Sequence, residues 1–239
     1  MAINLLKRLE SSINSFRLTL SRMKKIIDGT LESINAYLEN QEDWYEISMA
    51  AESDIEEMLD EDGEEEIMIG GKKSRVSLAD MDCRSWKRDL ESDQKILGDL
   101  LTMIADISPE HDSKLQILIE NLREKFEHPI NEGNKKILIF TAFSDTAEYL
   151  YDNLTAKILE KTGLHVGLVT GNGARSTVKG LPADFNSVLT MFSPISKEAG
   201  SLVTRPRKAV GSLVEIDVLI ATDCISEGQN LQDCDYLLN

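Results

Sequence analysis

Lys136-Ile137-Leu138-Ile139-Phe140-Thr141-Ala142-Phe143 is a short, nearly continuous apolar run. A run of that length without polar alternation suits a strand covered on both faces, as in a parallel sheet. Residues 145–161 follow with helical spacing, Ala147, Leu150, Tyr151, Leu154 and Ile158 facing inward. His165–Thr170 reads as a second strand, residues 183–192 as a helix ending near Ser193-Pro194, Asp217–Ala221 as a third strand and Asp235–Leu238 as a fourth. Strands alternating with helices imply an α/β fold, a parallel sheet flanked by helices with right-handed crossovers.

Working upstream, residues 112–127 form a helix with Leu115, Leu118, Ile119, Leu122 and Phe126 on one side and Asp112 or Ser113 as its N-cap. Residues 85–106 place Trp86, Leu90, Leu97, Leu101 and Ile104 on one face, and Ser108-Pro109 stops them. Residues 3–38 read as a long amphipathic helix, broken at Gly29. Its stripe is Leu6, Leu9, Ile13, Phe16, Leu20, Met23, Ile27, Leu31, Ile34 and Leu38. The stripe packs on neighbours in the same chain or, in the sharper reading, on a coiled-coil partner.

Between these helices, residues 39–84 look like a poorly ordered excursion. Glu39 to Glu66 holds 14 acidic residues and no Lys or Arg, which is −14 of the chain's net −16. Like charges at this density and few aromatics disfavour packing. The rest of the chain is nearly balanced, with 28 acidic and 26 basic side chains, so the low overall charge does not exclude nucleic acid as its partner. Trp44-Tyr45 in the acidic stretch is a candidate partner contact.

At 239 residues the chain is one large domain or two small ones. No apolar run is long enough to span a bilayer, and no secretion signal opens the chain, so a cytoplasmic protein without membrane contact is expected. Three cysteines, Cys83, Cys224 and Cys234, have no metal-like spacing; the last two read as core thiols. His111, His128 and His165 have no evident acid or nucleophile beside them in sequence, so no catalytic or metal role is assigned.

In open parallel sheets ligands gather at the carboxyl ends of the strands. That rule selects Thr141–Asp145, Thr170–Arg175, Thr222–Asn230 and the segment after Leu238. Small and polar residues there offer hydroxyls and backbone N–H groups to an anion such as a phosphate backbone. The competing reading is that they only cap the next helix. In Asp217–Leu231 (DVLIATDCISEGQNL) a buried strand delivers Thr222-Asp223, then Ser226-Glu227-Gly228, where glycine lets a ligand approach the backbone. Arg205, Arg207 and Lys208 lie in a loop of about twenty residues before this strand and are the best basic candidates for a nucleic-acid contact.

The string at 217–231 resembles motif V of superfamily-2 helicases, in the form found in Swi/Snf-like ATPases, above all bacterial members related to the RNA-polymerase-recycling ATPase. Residues 136–150 (KILIFTAFSDTAEYL) resemble motif IV of the same proteins. LVTGNG at 168–173, MFSP at 191–194 and the helix at 112–125 fall in the corresponding order. The resemblance implies residues 1–111 as a helical linker region with an acidic insertion at about 39–84, and 112–239 as an incomplete RecA-like C-terminal lobe. It implies that Thr141, Ser144, Thr170, Thr222, Asp223 and Ser226 touch a phosphate backbone. Gly228, Gln229 and Asn230 would face an ATP cleft, with Glu227 between the two surfaces.

The sequence also departs from that family. No G-x-x-x-x-G-K-[ST] occurs, and Gly171–Thr177 lacks the lysine of such a loop. No Asp-Glu box follows a strand, and the chain stops at Asn239, ahead of the place where the resemblance puts motif VI and its arginine fingers. The expectation is a part of an ATP-dependent DNA helicase or translocase with no catalytic residue of its own. ATP and Mg²⁺ would bind only with the first RecA-like lobe of the same polypeptide. The alternative is a protein-interaction module built on the helical arm and the acidic insertion. A Rossmann-type enzyme is disfavoured because no G-x-G-x-x-G follows the first strand.

Overall fold

The computed structural model describes residues 2–40, 46–49, 74–78, 81–197, 214–225 and 229–239, which fall into two compact units, Met1–Ser108 and Pro109–Asn239. Ser226, Glu227, Gly228, Arg205, Arg207, Lys208, Trp44 and Tyr45 lie outside the described residues.

In the first unit, α1 (Ala2–Ser11) leads into α2 (Ile13–Asn40), and α3 (Cys83–Met103) packs along α2. The interruption comes at Ser12, not at Gly29. The Ser12 hydroxyl takes the Ser15 N–H at 3.0 Å and so caps α2, whereas Gly29 lies within the helix. Along α2 the apolar stripe is the inward face, with Leu20, Leu31 and Ile34 buried, but in α1 and the first turns of α2 the inward face differs from it. Leu6 and Leu9 are exposed, while Arg8, Ser12, Ser15 and Thr19 are buried together with Leu20. Such a face can be buried because its polar groups pair within α2 and across the α1–α2 junction. The Thr19 hydroxyl donates to Ser15 O at 3.0 Å, and the Arg8 guanidinium donates to the Ser15 hydroxyl. Apolar periodicity cannot rank that face against its neighbour.

Three contacts set α2 antiparallel to α3. The Arg17 guanidinium donates to the carbonyls of Ile104 and Ile107, at 2.6 and 2.8 Å, where it complements the carboxyl end of α3. Asp28 takes the Gln94 amide at 2.6 Å. Ile34, Leu78 and Cys83 form a small core with Trp86 and Leu90. The excursion at 39–84 is not without regular structure: β1 (Glu46–Met49) and β2 (Ser74–Ser77) pair antiparallel.

The second unit is a five-stranded, mostly parallel sheet. Its strands are β3 (Ile137–Phe140), β4 (Val166–Thr170), β5 (Gly173–Ser176), β6 (Val218–Ala221) and β7 (Leu237–Leu238), in the order β5-β4-β6-β3-β7. β5 alone runs antiparallel; it turns back from β4 through Gly171-Asn172, so the glycine-rich Gly171–Thr177 segment is a hairpin. Its short polar strand, Gly173-Ala-Arg-Ser176, carries no apolar run by which sequence could mark it.

Both faces of the strands are covered, as the apolar runs require. Ile137, Ile139, Val166, Leu168, Val218 and Ile220 pack under α4 (Ser113–Glu127) and α5 (Ser144–Thr162). Leu138, Val169, Leu219 and Ala221 pack on the other side with α6 (Phe185–Phe192) and Ile225. The connection β3-α5-β4 crosses the first face, and β4-α6-β6 returns over the second. Ile225, Leu231 and Cys234 lie on the second face ahead of β7, as crossovers of one hand require.

Polar ties fix this packing. Asp112 caps α4 through the N–H groups of Lys114 and Leu115, at 3.0 and 3.2 Å, and takes the Tyr149 hydroxyl of α5 at 3.0 Å. The Lys125 ammonium, almost fully buried, meets Asp235 at 2.6 Å just before β7. Burial would raise the Asp235 carboxyl, but hydrogen bonds from Lys125 and Asn131 outweigh it and hold the group below its ordinary value.

Asp235→Ala strands the Lys125 charge and should destabilise the second unit by about 3 kcal/mol at neutral pH. Because the folded carboxyl is lowered, its contribution is complete above the unfolded value near 4 and disappears as pH falls through the folded one. Urea unfolding of wild type and variant should therefore differ at neutral pH and converge in acid; a gap that persists in acid contradicts the assignment.

Candidate functional site

The strands β3 and β6 lie side by side, yet the chain leaves them over opposite faces, through α5 on one side and Ile225 on the other. The crevice between their carboxyl ends is the topological switch point of the sheet. Backbone pairing carries the register one step beyond the strands. Thr141 N–H donates to Ala221 O at 3.0 Å, and Thr222 N–H donates to Val169 O at 3.2 Å. Thr141, Thr222 and Thr170 therefore stand in a row along one edge. Ser144 follows in the first turn of α5, beside Phe143, which contributes no side-chain cap. Asp223 opens the short 3-10 turn Asp223–Ile225 on the same edge and is exposed.

The row is buried. Thr141, Thr170, Thr222 and Ser144 are 8%, 5%, 2% and 4% exposed, so their side chains do not form an open phosphate grip. The three threonine hydroxyls serve the turns that follow them. Thr141 accepts from Phe143 N–H at 3.5 Å and Thr170 from Asn172 N–H at 3.3 Å, while Thr222 points its hydroxyl at Cys224 Sγ, 3.5 Å away. Short polar residues are used here to fold a strand end tightly into a loop. The exposed layer outside them is Ala142, Gly171-Asn172 and Asp223-Cys224. Cys224 is thus a surface thiol rather than a core one; its sulfur reaches back to Val169 O at 3.7 Å. Cys234 is half-buried against the second face.

Gln229 and Asn230 lie further along the same segment. The Asn230 amide donates to Ser196 O at 3.2 Å, and the Gln229 carboxamide oxygen accepts from the Lys197 ammonium. Asp233 organises this meeting. Its carboxylate takes the N–H groups of Ile195 and Ser196, at 2.8 and 2.9 Å, and the Ser196 hydroxyl. Burial pushes that carboxyl up, but these hydrogen bonds prevail and keep it low. Sequence reading missed Asp233, Ser196 and Lys197. In a chain with 42 acidic residues one more aspartate in a loop carries no signal, and the contact joins positions almost forty residues apart.

Other titratable groups lie elsewhere. Burial raises the Asp217 carboxyl, but this residue accepts the His165 N–H at 3.0 Å at the opposite edge, before β6. The His165 ring sits 2.9 Å from the Thr177 hydroxyl there. Among the described residues no group of three or more His, Cys, Asp or Glu could hold a metal ion, and no helix is long and apolar enough to cross a membrane.

No protein-family model matches the chain, and no curated protein matches it.

Alkylation should follow the burial order. Burial raises the Cys83 and Cys234 thiols, which lowers their thiolate fraction, whereas Cys224 is open to reagent. Mass spectrometry of the native protein treated with iodoacetamide should find Cys224 modified first; simultaneous modification of all three would contradict the placement.

Proposed function

We propose that residues 112–239 form a RecA-like second lobe of a superfamily-2, Swi/Snf-like ATPase that moves along nucleic acid, DNA being the expected track. The observation that carries this reading is the row Thr170–Thr222–Thr141 across three adjacent parallel strands, at the switch point of the sheet. The motif-IV-like and motif-V-like segments are neighbours there, although some eighty residues separate them in sequence.

The buried hydroxyls change how the ledge works. They shape the strand ends, and a phosphate backbone approaches the layer outside them, at Ala142, Gly171-Asn172 and Asp223-Cys224. Such contacts are to sugar and phosphate, so they position the polymer without reading its sequence. The start of α5 adds the positive end of a 19-residue helix beside the same edge. Gln229 and Asn230 belong to the nucleotide side. ATP, with Mg²⁺, is completed there by a first lobe that supplies the phosphate loop, because this chain has no such sequence. The motion is mechanical. ATP closes two lobes, hydrolysis opens them, and alternating grips on the backbone advance the polymer. By itself this chain turns over no ATP.

A second reading, as a protein-interaction module, has its own support in α1, where Ile3, Leu6 and Leu9 are exposed. The two readings place the working surface on different units.

Cys224 reports on the first of them. Oligonucleotide bound along the ledge should slow Cys224 alkylation at low salt and leave Cys83 unchanged, and the protection should fade steeply as salt rises. Protection independent of salt, or none at any salt, would overturn the nucleic-acid assignment.

A further inference from the structure

Gly171-Asn172-Gly173 holds the only Asn-Gly pair in the chain. It forms the turn between β4 and β5 on the carboxyl edge of the sheet, and all three residues are exposed. The Asn172 main-chain N–H donates to the Thr170 hydroxyl at 3.3 Å, but among the described residues no hydrogen bond holds its carboxamide. Other asparagines of this unit are tied. Asn131 donates to Asp235, Asn134 to Asp233 O, Asn153 to Tyr149 O and Asn230 to Ser196 O. None of these four precedes a glycine.

Asn172 is thereby open to attack by its own backbone. Gly173 has no Cβ to shield its nitrogen, and among the described residues nothing lies within 4 Å of where a Cβ would stand. Its φ of +141° is one that glycine takes without strain, so no side chain resists rotation of this peptide unit. Thr170 and Gly173 form the last rung of the β4–β5 ladder, and opening that one rung frees the Gly173 nitrogen.

We propose that Asn172 is a site of spontaneous modification, at which the turn on the carboxyl edge loses its amide and gains a carboxylate. The Gly173 nitrogen gives up its proton and bonds to Asn172 Cγ. The bond from Cγ to the side-chain nitrogen breaks, and ammonia leaves with that proton. Water then opens the five-membered succinimide. Cleavage at Cγ leaves aspartate; cleavage at the main-chain carbonyl leaves isoaspartate, whose backbone is longer by one methylene. No oxidant or metal is needed, and both products place a negative charge on the edge that already exposes Asp223. The effect on a polymer rests on the reading of this edge as a nucleic-acid ledge. There, one added charge should weaken oligonucleotide binding roughly threefold at low salt.

The test is peptide mapping by mass spectrometry after incubation in mildly alkaline buffer, with the folded chain and the urea-unfolded chain in parallel. The folded chain should gain about one dalton at Asn172 before any other asparagine, with isoaspartate among the products, and Asn172→Gln should abolish the gain there. If Asn172 stays intact in the folded chain, or another asparagine converts first, the proposal is overturned. The converted fraction, separated by ion exchange, is then titrated with labelled oligonucleotide beside fresh protein. Weaker binding by the converted fraction supports the stated effect. Equal binding by the two removes that effect and leaves the modification standing. If fresh protein binds no oligonucleotide, the ledge reading falls and the modification at Asn172 still stands.

Discussion

Strands covered on both faces are the constraint from which the second unit follows. Val218–Ala221 has no exposed residue, and Ile137–Ile139 is buried along its length. Strands of this kind need helices above and below, and parallel neighbours reached by crossovers. Once the strands run parallel, their carboxyl ends must share one edge. Residues remote in sequence, Thr141, Thr170 and Thr222, are brought into a row by main-chain pairing alone. The location of the candidate site is thus a consequence of core packing, before any functional side chain is considered.

The same packing explains why the row is buried. A threonine directly after a fully buried strand has its methyl group at the margin of the core and its hydroxyl within reach of the next turn's N–H groups. The structure uses both properties. What it leaves exposed is the backbone and small residues one step further out. Exposure increases from Thr222 to Asp223 and from Thr170 to Gly171 within a single residue.

Much of this was legible in the sequence, for reasons particular to each element. The runs at 136–143 and 217–221 located β3 and β6, because a two-sided core leaves no polar alternation. Asp112 was readable as a cap because its side chain acts on the next three residues. The failures have a common cause. β5 is a polar hairpin arm held by pairing with β4, and the β1–β2 hairpin joins residues on either side of a highly acidic stretch. The inward face of α1 and of the first turns of α2 is lined by Arg8, Ser12, Ser15 and Thr19, which periodicity does not see. The junction of Asp233 with Ser196 depends on two loops meeting in space. Local spacing reports local and repetitive interactions, and each of these is neither.

The central claim is that a sugar–phosphate polymer lies across the carboxyl edge of the sheet. Photo-crosslinking tests it most directly, with a benzoylphenylalanine placed singly at Ala142, Asn172 or Asp223 on that edge and at Gly163 or Glu215 at the opposite one. With a labelled oligonucleotide at low salt, the account predicts crosslinks from the first three positions and none from the last two. Crosslinks of equal yield from both edges, or from the opposite edge alone, would contradict it.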